Sequence, residues 1–142
     1  METQLLYRGR LIDHIQLVVA DIRASRTFYD AVFGVLGIPL GGEIGDDFWF
    51  DELFVSTRDS EAALGELTGR HHLAFQAADR AMVDAFHNAG LAAGGRDNGA
   101  PGERPYHPGY YAAFLLDPDG NNIEAVYHGE HQRSAPSVEI SF

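Results

Sequence analysis

Apolar residues recur along this chain in two rhythms, one of strands and one of helices, and the order of the rhythms repeats. Residues 11–20 are rich in Ile, Leu and Val with weak alternation, the pattern of a half- to fully buried strand. Asp21 then offers a helix cap, and residues 23–33 set Ala24, Phe28, Ala31 and Val32 on one face, with Gly34 as the stop and Gly37 close behind. Residues 38–43, 47–51 and 53–57 read as short strands joined by tight turns, and 58–69 as a polar linker. A second strand follows at 71–77. Asp79 caps a helix that runs to about Gly90 and offers Ala81, Val83, Ala85, Phe86 and Ala89 for packing. Gly94-Gly95 closes a short strand, and 96–109 is a turn-rich loop holding three of the six prolines. Residues 110–116 and 122–127 are strands around the tight turn Asp117-Pro118-Asp119-Gly120. The tail, 129–142, is polar apart from Val138-Glu139-Ile140, a loose arm or an edge contact.

The order is β-α-β-β-β used twice, about eight strands and two helices in all. At an offset of 58 residues, without gaps, His14 falls on His72, Ala20 on Ala78, Asp21 on Asp79, Phe28 on Phe86 and Ala31 on Ala89. A duplicated unit implies pseudo-twofold architecture, so the equivalent histidines His14 and His72 are candidates for one site. The expected division is one domain over 1–142, with units at 10–58 and 70–128 and the tail at 129–142.

Composition narrows the function. Hydrophobic residues make up 45% of the chain and charged residues 22%, ordinary for a globular protein able to bury a core. No apolar run approaches the roughly 20 residues that span a bilayer. Residues 1–6 lack the basic start and long apolar stretch of a signal peptide, so the expected compartment is the cytoplasm. The absence of cysteine excludes disulfides, thiolate metal sites and cysteine nucleophiles. A net charge of −11, from 10 basic and 21 acidic residues, argues against nucleic acid and anionic membrane as partners. No Ser-His-Asp signature, phosphate loop or dinucleotide fingerprint is present.

The chemistry concentrates on His14, His72 and Glu124. Strand alternation puts Asn122, Glu124 and Val126 on one face, and a carboxylate on so apolar a strand is costly to bury unless paired or metal-bound. Two imidazoles and one carboxylate can hold one face of a divalent metal and leave positions open, the set typical of non-haem Fe2+ and also suited to Mn2+, Ni2+, Co2+ or Zn2+. The plainer reading makes each histidine a hydrogen-bonded structural residue and Glu124 a partner for Arg96 or Arg104. His107 is a candidate acid or base, and Tyr111 or Tyr110 a candidate hydrogen-bond donor to a substrate oxygen. His128 and His87 read as surface residues. Phe48 and Trp49 line either a pocket or a dimer contact.

Four segments make the chain similar to the vicinal oxygen chelate superfamily, which includes glyoxalase I, extradiol dioxygenases, and fosfomycin and bleomycin resistance proteins. They are Leu11-Ile12-Asp13-His14-Ile15, Arg26-Thr27-Phe28-Tyr29, His71-His72-Leu73-Ala74-Phe75, and Asp117-Pro118-Asp119-Gly120-Asn121-Asn122-Ile123-Glu124. Together they span roughly residues 10–128. The resemblance implies an α+β fold in which two tandem βαβββ modules form a concave mixed sheet around a metal cup, with His14, His72 and Glu124 on ligand positions and His71 facing away. It implies a divalent metal, with Fe2+ favoured, a small-molecule substrate held through vicinal oxygens, and a homodimer. The chain departs from the glyoxalase pattern at the fourth ligand. The last strand of the first unit has no central glutamate, Glu52 is the nearest substitute, and Glu66 lies in the linker. Three ligands resemble the extradiol dioxygenase set more than the glyoxalase set. A glyoxalase-like lyase and a metal-free drug-binding protein are the alternatives.

Overall fold

Each helix begins just after the first strand of its module, on an aspartate cap. The Asp21 carboxylate accepts from the backbone N–H groups of Arg23 and Ala24, and Asp79 from that of Met82, which satisfies donors that have no partner inside the helix. The computed structural model describes residues 5–142 and contains ten strands and two helices. In chain order these are β1 Leu5–Arg8, β2 Ile15–Val18, α1 Ile22–Leu36, β3 Gly42–Ile44, β4 Asp47–Phe50, β5 Leu53–Ser56, β6 His72–Gln76, α2 Arg80–Ala92, β7 Arg96–Glu103, β8 Tyr111–Leu116, β9 Asn122–Tyr127 and β10 Val138–Ser141.

The duplication holds in three dimensions. One sheet has the order β2-β5-β4-β3 and the other β6-β9-β8-β7. In each, the first strand runs parallel to the last strand of its module (β2 with β5, β6 with β9), and the remaining pairs are antiparallel. The fold is therefore α+β with two tandem βαβββ modules, divided into two four-stranded sheets. No candidate membrane span is found among the described helices, none being long and apolar enough.

Several boundaries differ from the sequence reading for identifiable reasons. Helix α1 passes through Gly34 and stops at Gly37, where φ is 74° and the backbone N–H groups of Gly37 and Ile38 close back onto Gly34 and Phe33. A glycine inside a helix weakens it without ending it when the apolar stripe continues, here through Val35 and Leu36. The expected strand at 38–43 shrinks and shifts to Gly42–Ile44. No strand precedes Gly94-Gly95, and the expected loop at 96–109 instead begins with the eight-residue strand β7. Its Gly and Pro content is tolerated because β7 is an edge strand, broken by register shifts around Gly99. His87, expected on the surface, is 7% exposed and bonded to Asp97 of β7 at 2.9 Å. The tail supplies β10, which pairs antiparallel with β1 into a terminal ribbon.

One core serves both modules. Helices α1 and α2 pack closely, and a Cβ on Gly90 would stand 3.2 Å from Val32 Cγ1 of α1 and 2.2 Å from Leu115 Cδ1 of β8, so a side chain there would have to displace Leu115. Phe33 of module one packs on both Phe50 and Phe75, at centroid distances of 4.6 and 4.9 Å, and so bridges the modules. A polar knot does the same. The buried Asp117 carboxylate accepts from the Tyr29 hydroxyl at 2.6 Å and from three donors of its own turn. The apolar face of each strand turns toward this core, leaving Gln16, Phe54 and Trp49 on the open face of one sheet and His72, Phe114 and Glu124 on that of the other.

Candidate functional site

Parallel pairing of β6 with β9 sets Ala74 opposite Glu124 and His72 opposite Asn122, so His72 and Glu124 are diagonal neighbours on one face. Their side chains meet, with His72 Nε2 3.0 Å from Glu124 Oε1. The other ring nitrogen, Nδ1, lies 3.1 Å from the Asn122 carbonyl oxygen, which can only accept. Nδ1 therefore carries a proton, and in the neutral imidazole the Nε2 lone pair faces a carboxylate oxygen. Two acceptors in that geometry need a cation or a proton between them. This pair fits a divalent metal as two adjacent ligands, with the tautomer already set by the backbone.

Glu124 is 2% exposed, and its second oxygen accepts a hydrogen bond from the Tyr110 hydroxyl. Burial first, then the bond to and charge of Glu124, hold the Tyr110 phenol well above its ordinary range. Tyr110 is accordingly a fixed donor near neutral pH and not a base. Tyr111, the other candidate, is directed elsewhere. Its hydroxyl donates to Asp84 of α2 at 2.7 Å, and the Arg80 guanidinium lies over its ring at 4.6 Å. Alternation decides between them, because Tyr110 shares parity with Ala112 and Phe114, whose partners on β9 are Val126 and Glu124.

His107 joins the site's rim rather than its centre. Its Nε2 lies 2.8 Å from His128 Nδ1, its Nδ1 bonds the Pro108 carbonyl, and both imidazoles pack edge-on against the Tyr110 ring. His128, read as surface, is thus the partner of His107, and His131 extends the cluster at 6.2 Å from the His128 ring. Neither Arg96 nor Arg104 pairs with Glu124; Arg104 lies over Phe114 at 5.3 Å and donates to the Ala100 carbonyl.

His14 is not brought to this pair within one chain. It precedes β2, is 58% exposed, donates from Nδ1 to the Asp13 carboxylate at 2.7 Å, and sits edge-on to Phe54. Among the described residues, no group of three or more His, Asp or Glu side chains converges on a point. His14 stands at the start of one sheet and His72 on the other, and the two sheets share no strand pairing. Glu52 does not compensate: its turn is tied to β2 through its carbonyl, and its side chain lies against Gly9. Trp49 stacks on Phe54 at 5.3 Å on the first open face, whereas Phe48 is 1% exposed in the core.

Tyr110→Phe is expected to leave one buried oxygen of Glu124 without its donor. The cost to stability is about 1–3 kcal/mol, read from a urea midpoint at unchanged slope. A loss below about 0.5 kcal/mol would show that the hydroxyl does not support this carboxylate.

The family model of the Glyoxalase/Bleomycin resistance protein/Dioxygenase superfamily matches residues 11–125. A comparison with curated protein sequences finds no match. Among solved structures, a glyoxalase/bleomycin resistance protein from Albidiferax ferrireducens is 32% identical, with a TM-score of 0.67 over 82% of this chain and 97% of that one. A glyoxalase/bleomycin resistance protein/dioxygenase family enzyme from Burkholderia phytofirmans is 25% identical, with a TM-score of 0.62 over 80% of this chain and 95% of that one. A lactoylglutathione lyase from Agrobacterium tumefaciens shares the fold at 22% identity and a TM-score of 0.59, over 83% and 93% of the two chains. With the tandem modules, the match over 11–125 and the relative at 32% identity agreeing, this chain belongs to the Glyoxalase/Bleomycin resistance protein/Dioxygenase superfamily.

Proposed function

We propose that the protein is a metal-dependent enzyme whose active site is made by two copies of the chain, His72 and Glu124 from one and His14 from the other. The observation that carries this is the His72 tautomer, which aims an Nε2 lone pair at a buried carboxylate. A homodimer supplies what one chain lacks, because His14 is exposed on the open face of the other sheet. Such a set holds a divalent cation, with Fe2+ preferred among Fe2+, Mn2+, Ni2+, Co2+ and Zn2+. When bound, the metal supplies Lewis-acid polarisation of two adjacent substrate oxygens and, as iron, a place for dioxygen.

The chain's own groups do the rest. Tyr110 holds Glu124 in place and remains a donor at neutral pH. The hydrogen-bonded pair His107 and His128 stands at the rim, where it can accept a proton from an incoming hydroxyl. Strand β5 of module one supplies no acidic residue, which favours extradiol-dioxygenase-like over glyoxalase-like chemistry. A metal-free small-molecule binding protein is the second reading, favoured by the His72–Glu124 contact closing as an ion pair without a cation. The proposed units remain 10–58, 70–128 and the 129–142 tail, in a cytoplasmic protein.

Metal analysis tests the proposal. Protein reconstituted anaerobically with Fe2+ is expected to hold about one metal per chain. His72→Ala and Glu124→Gln are each expected to lower this by about tenfold or more in protein that remains folded by circular dichroism. Metal content untouched by either substitution would sink the site. Oxygen uptake on catechols then separates the dioxygenase reading from the lyase reading.

A further inference from the structure

The aromatic pair Trp49 and Phe54 has no part in the metal proposal, yet it stands beside one of the proposed ligands. Trp49 alternates with Phe48 and Phe50 on β4, and Phe54 with Leu53 and Val55 on β5, so both rings leave the core for the open face of their sheet. Strand pairing sets Gln16, Phe54, Trp49 and Gly42 in one row across β2, β5, β4 and β3. The two glycines leave room for the indole, because a Cβ on Gly41 or Gly42 would stand 2.5 or 2.2 Å from it. The His14 ring meets the Phe54 ring edge-on at 5.5 Å, so the row adjoins the position that module one would give to the metal.

On the side of this row away from His14 lies a pocket of about 170 Å³. Trp49 and Phe54 form its apolar wall, and Gln16, Asp47, Ser56 and Ser60 its polar one. A whole ligand site is about 300 Å³ or more, so this pocket suits one arm of a ligand. Gln16 is clamped in it: Nε2 donates to Ser56 Oγ at 2.8 Å and to Ser60 Oγ at 3.0 Å, and Ser56 is 4% exposed. Both amide protons are thereby used, and Gln16 Oε1 has no partner among the described residues. Asp47 accepts from the Thr57 backbone N–H at 3.2 Å through one oxygen, and its other oxygen likewise has no partner among the described residues. No basic residue lines the pocket. Two free acceptors beside an apolar wall, one of them a carboxylate, select a cationic donor and oppose an anion.

We propose that the substrate of the two-copy metal site is an aromatic diol with an ammonium on a short arm, its ring against Trp49 and Phe54 and its ammonium donating to Asp47 and Gln16. The diol end of this assignment rests on the metal reading, and the ammonium pocket does not. Two strand repeats along β2 and β5 separate the level of His14 from that of Ser56, roughly 13 Å, comparable with a diol ring, a two-carbon arm and the contacts at either end.

Trp49 is the only tryptophan, so its fluorescence reads the pocket directly, with or without metal. The metal-free chain is titrated with phenethylamine, 2-phenylethanol and 3-phenylpropionate, which share a ring and a two-carbon arm and differ in charge. The amine is expected to change the Trp49 signal at about tenfold lower concentration than the alcohol, with the acid weaker still. Asp47→Asn, which keeps an oxygen for the Thr57 N–H, is expected to bring amine and alcohol within about twofold of each other. Phe54→Leu is expected to weaken all three. In Fe2+-reconstituted protein, oxygen uptake on catechols bearing the same three arms is expected to show a KM about tenfold lower for the amine than for the acid. Equal affinities in the wild-type protein, or tighter binding of the acid, overturn the proposal even if neither variant folds. Absence of a saturable signal also overturns it, as does a signal that moves only with protein concentration, which would mark a second copy as the cover of Trp49. Amine preference without oxygen uptake on any catechol would overturn the metal reading and leave the ammonium pocket standing. Oxygen uptake without amine preference would overturn the pocket alone.

Discussion

Co-expression of a His14→Ala chain with a Glu124→Ala chain is expected to restore about one-quarter of the wild-type metal content, although each variant alone holds almost none. The arithmetic follows from a twofold dimer with one site per interface half. Random pairing makes about half the dimers mixed, and in each mixed dimer one of the two sites receives an intact His14 from one copy and intact His72 and Glu124 from the other. The companion site receives both substitutions. A site assembled within a single chain would recover nothing, because every chain carries a lesion. Metal per chain in the purified mixture, with a tag on each variant to isolate mixed dimers, reads the outcome directly. Background metal in those mixed dimers would sink the two-copy site.

Asp117→Ala is expected to be the most damaging single substitution outside the candidate site, at about 3–5 kcal/mol of folding stability. The carboxylate is 1% exposed and accepts four hydrogen bonds: from the Tyr29 hydroxyl at 2.6 Å, the Asn121 backbone and side chain at 2.8 and 2.9 Å, and the Asp119 backbone at 3.0 Å. Truncation strands the hydroxyl of Tyr29, itself fully buried and held well above the usual phenol range by that burial and by Asp117. It also loosens the turn that feeds β9, and hence the register that places Glu124. Against a typical margin of about 5–15 kcal/mol, such a loss lowers the thermal midpoint by about 10 °C or more. A urea midpoint that falls by less than about 1 kcal/mol equivalent would show the knot to be incidental.

The motif Asp117-Pro118-Asp119-Gly120-Asn121 illustrates how much a local signal carries. Its turn was legible because Gly120 takes a φ of 84° that few other residues adopt, and a tight turn between two apolar runs fixes a hairpin. That Asp117 also ties α1 to module two was not legible, since nothing in the spacing links position 29 to position 117. The choice between Tyr110 and Tyr111 was not legible for a related reason. Which of two adjacent residues faces Glu124 depends on where β8 begins, and one residue of register reverses every face. His87 misled because its partner, Asp97, sits on an edge strand disguised by Gly and Pro as a loop.

The sequence by itself determined the duplicated βαβββ unit, the helix caps and the closing turn, because periodicity, capping and strand alternation act within a few residues of one another; the contact of His72 with Glu124 came only with the pairing of β6 and β9. Tertiary structure decided where the duplicated halves face. The modules share one core through α1, α2 and Phe33 while their sheets share no strand pairing, and symmetry in sequence did not bring His14 to His72 within the chain. Burial of apolar surface is non-directional, and the same two modules can satisfy it in more than one mutual arrangement.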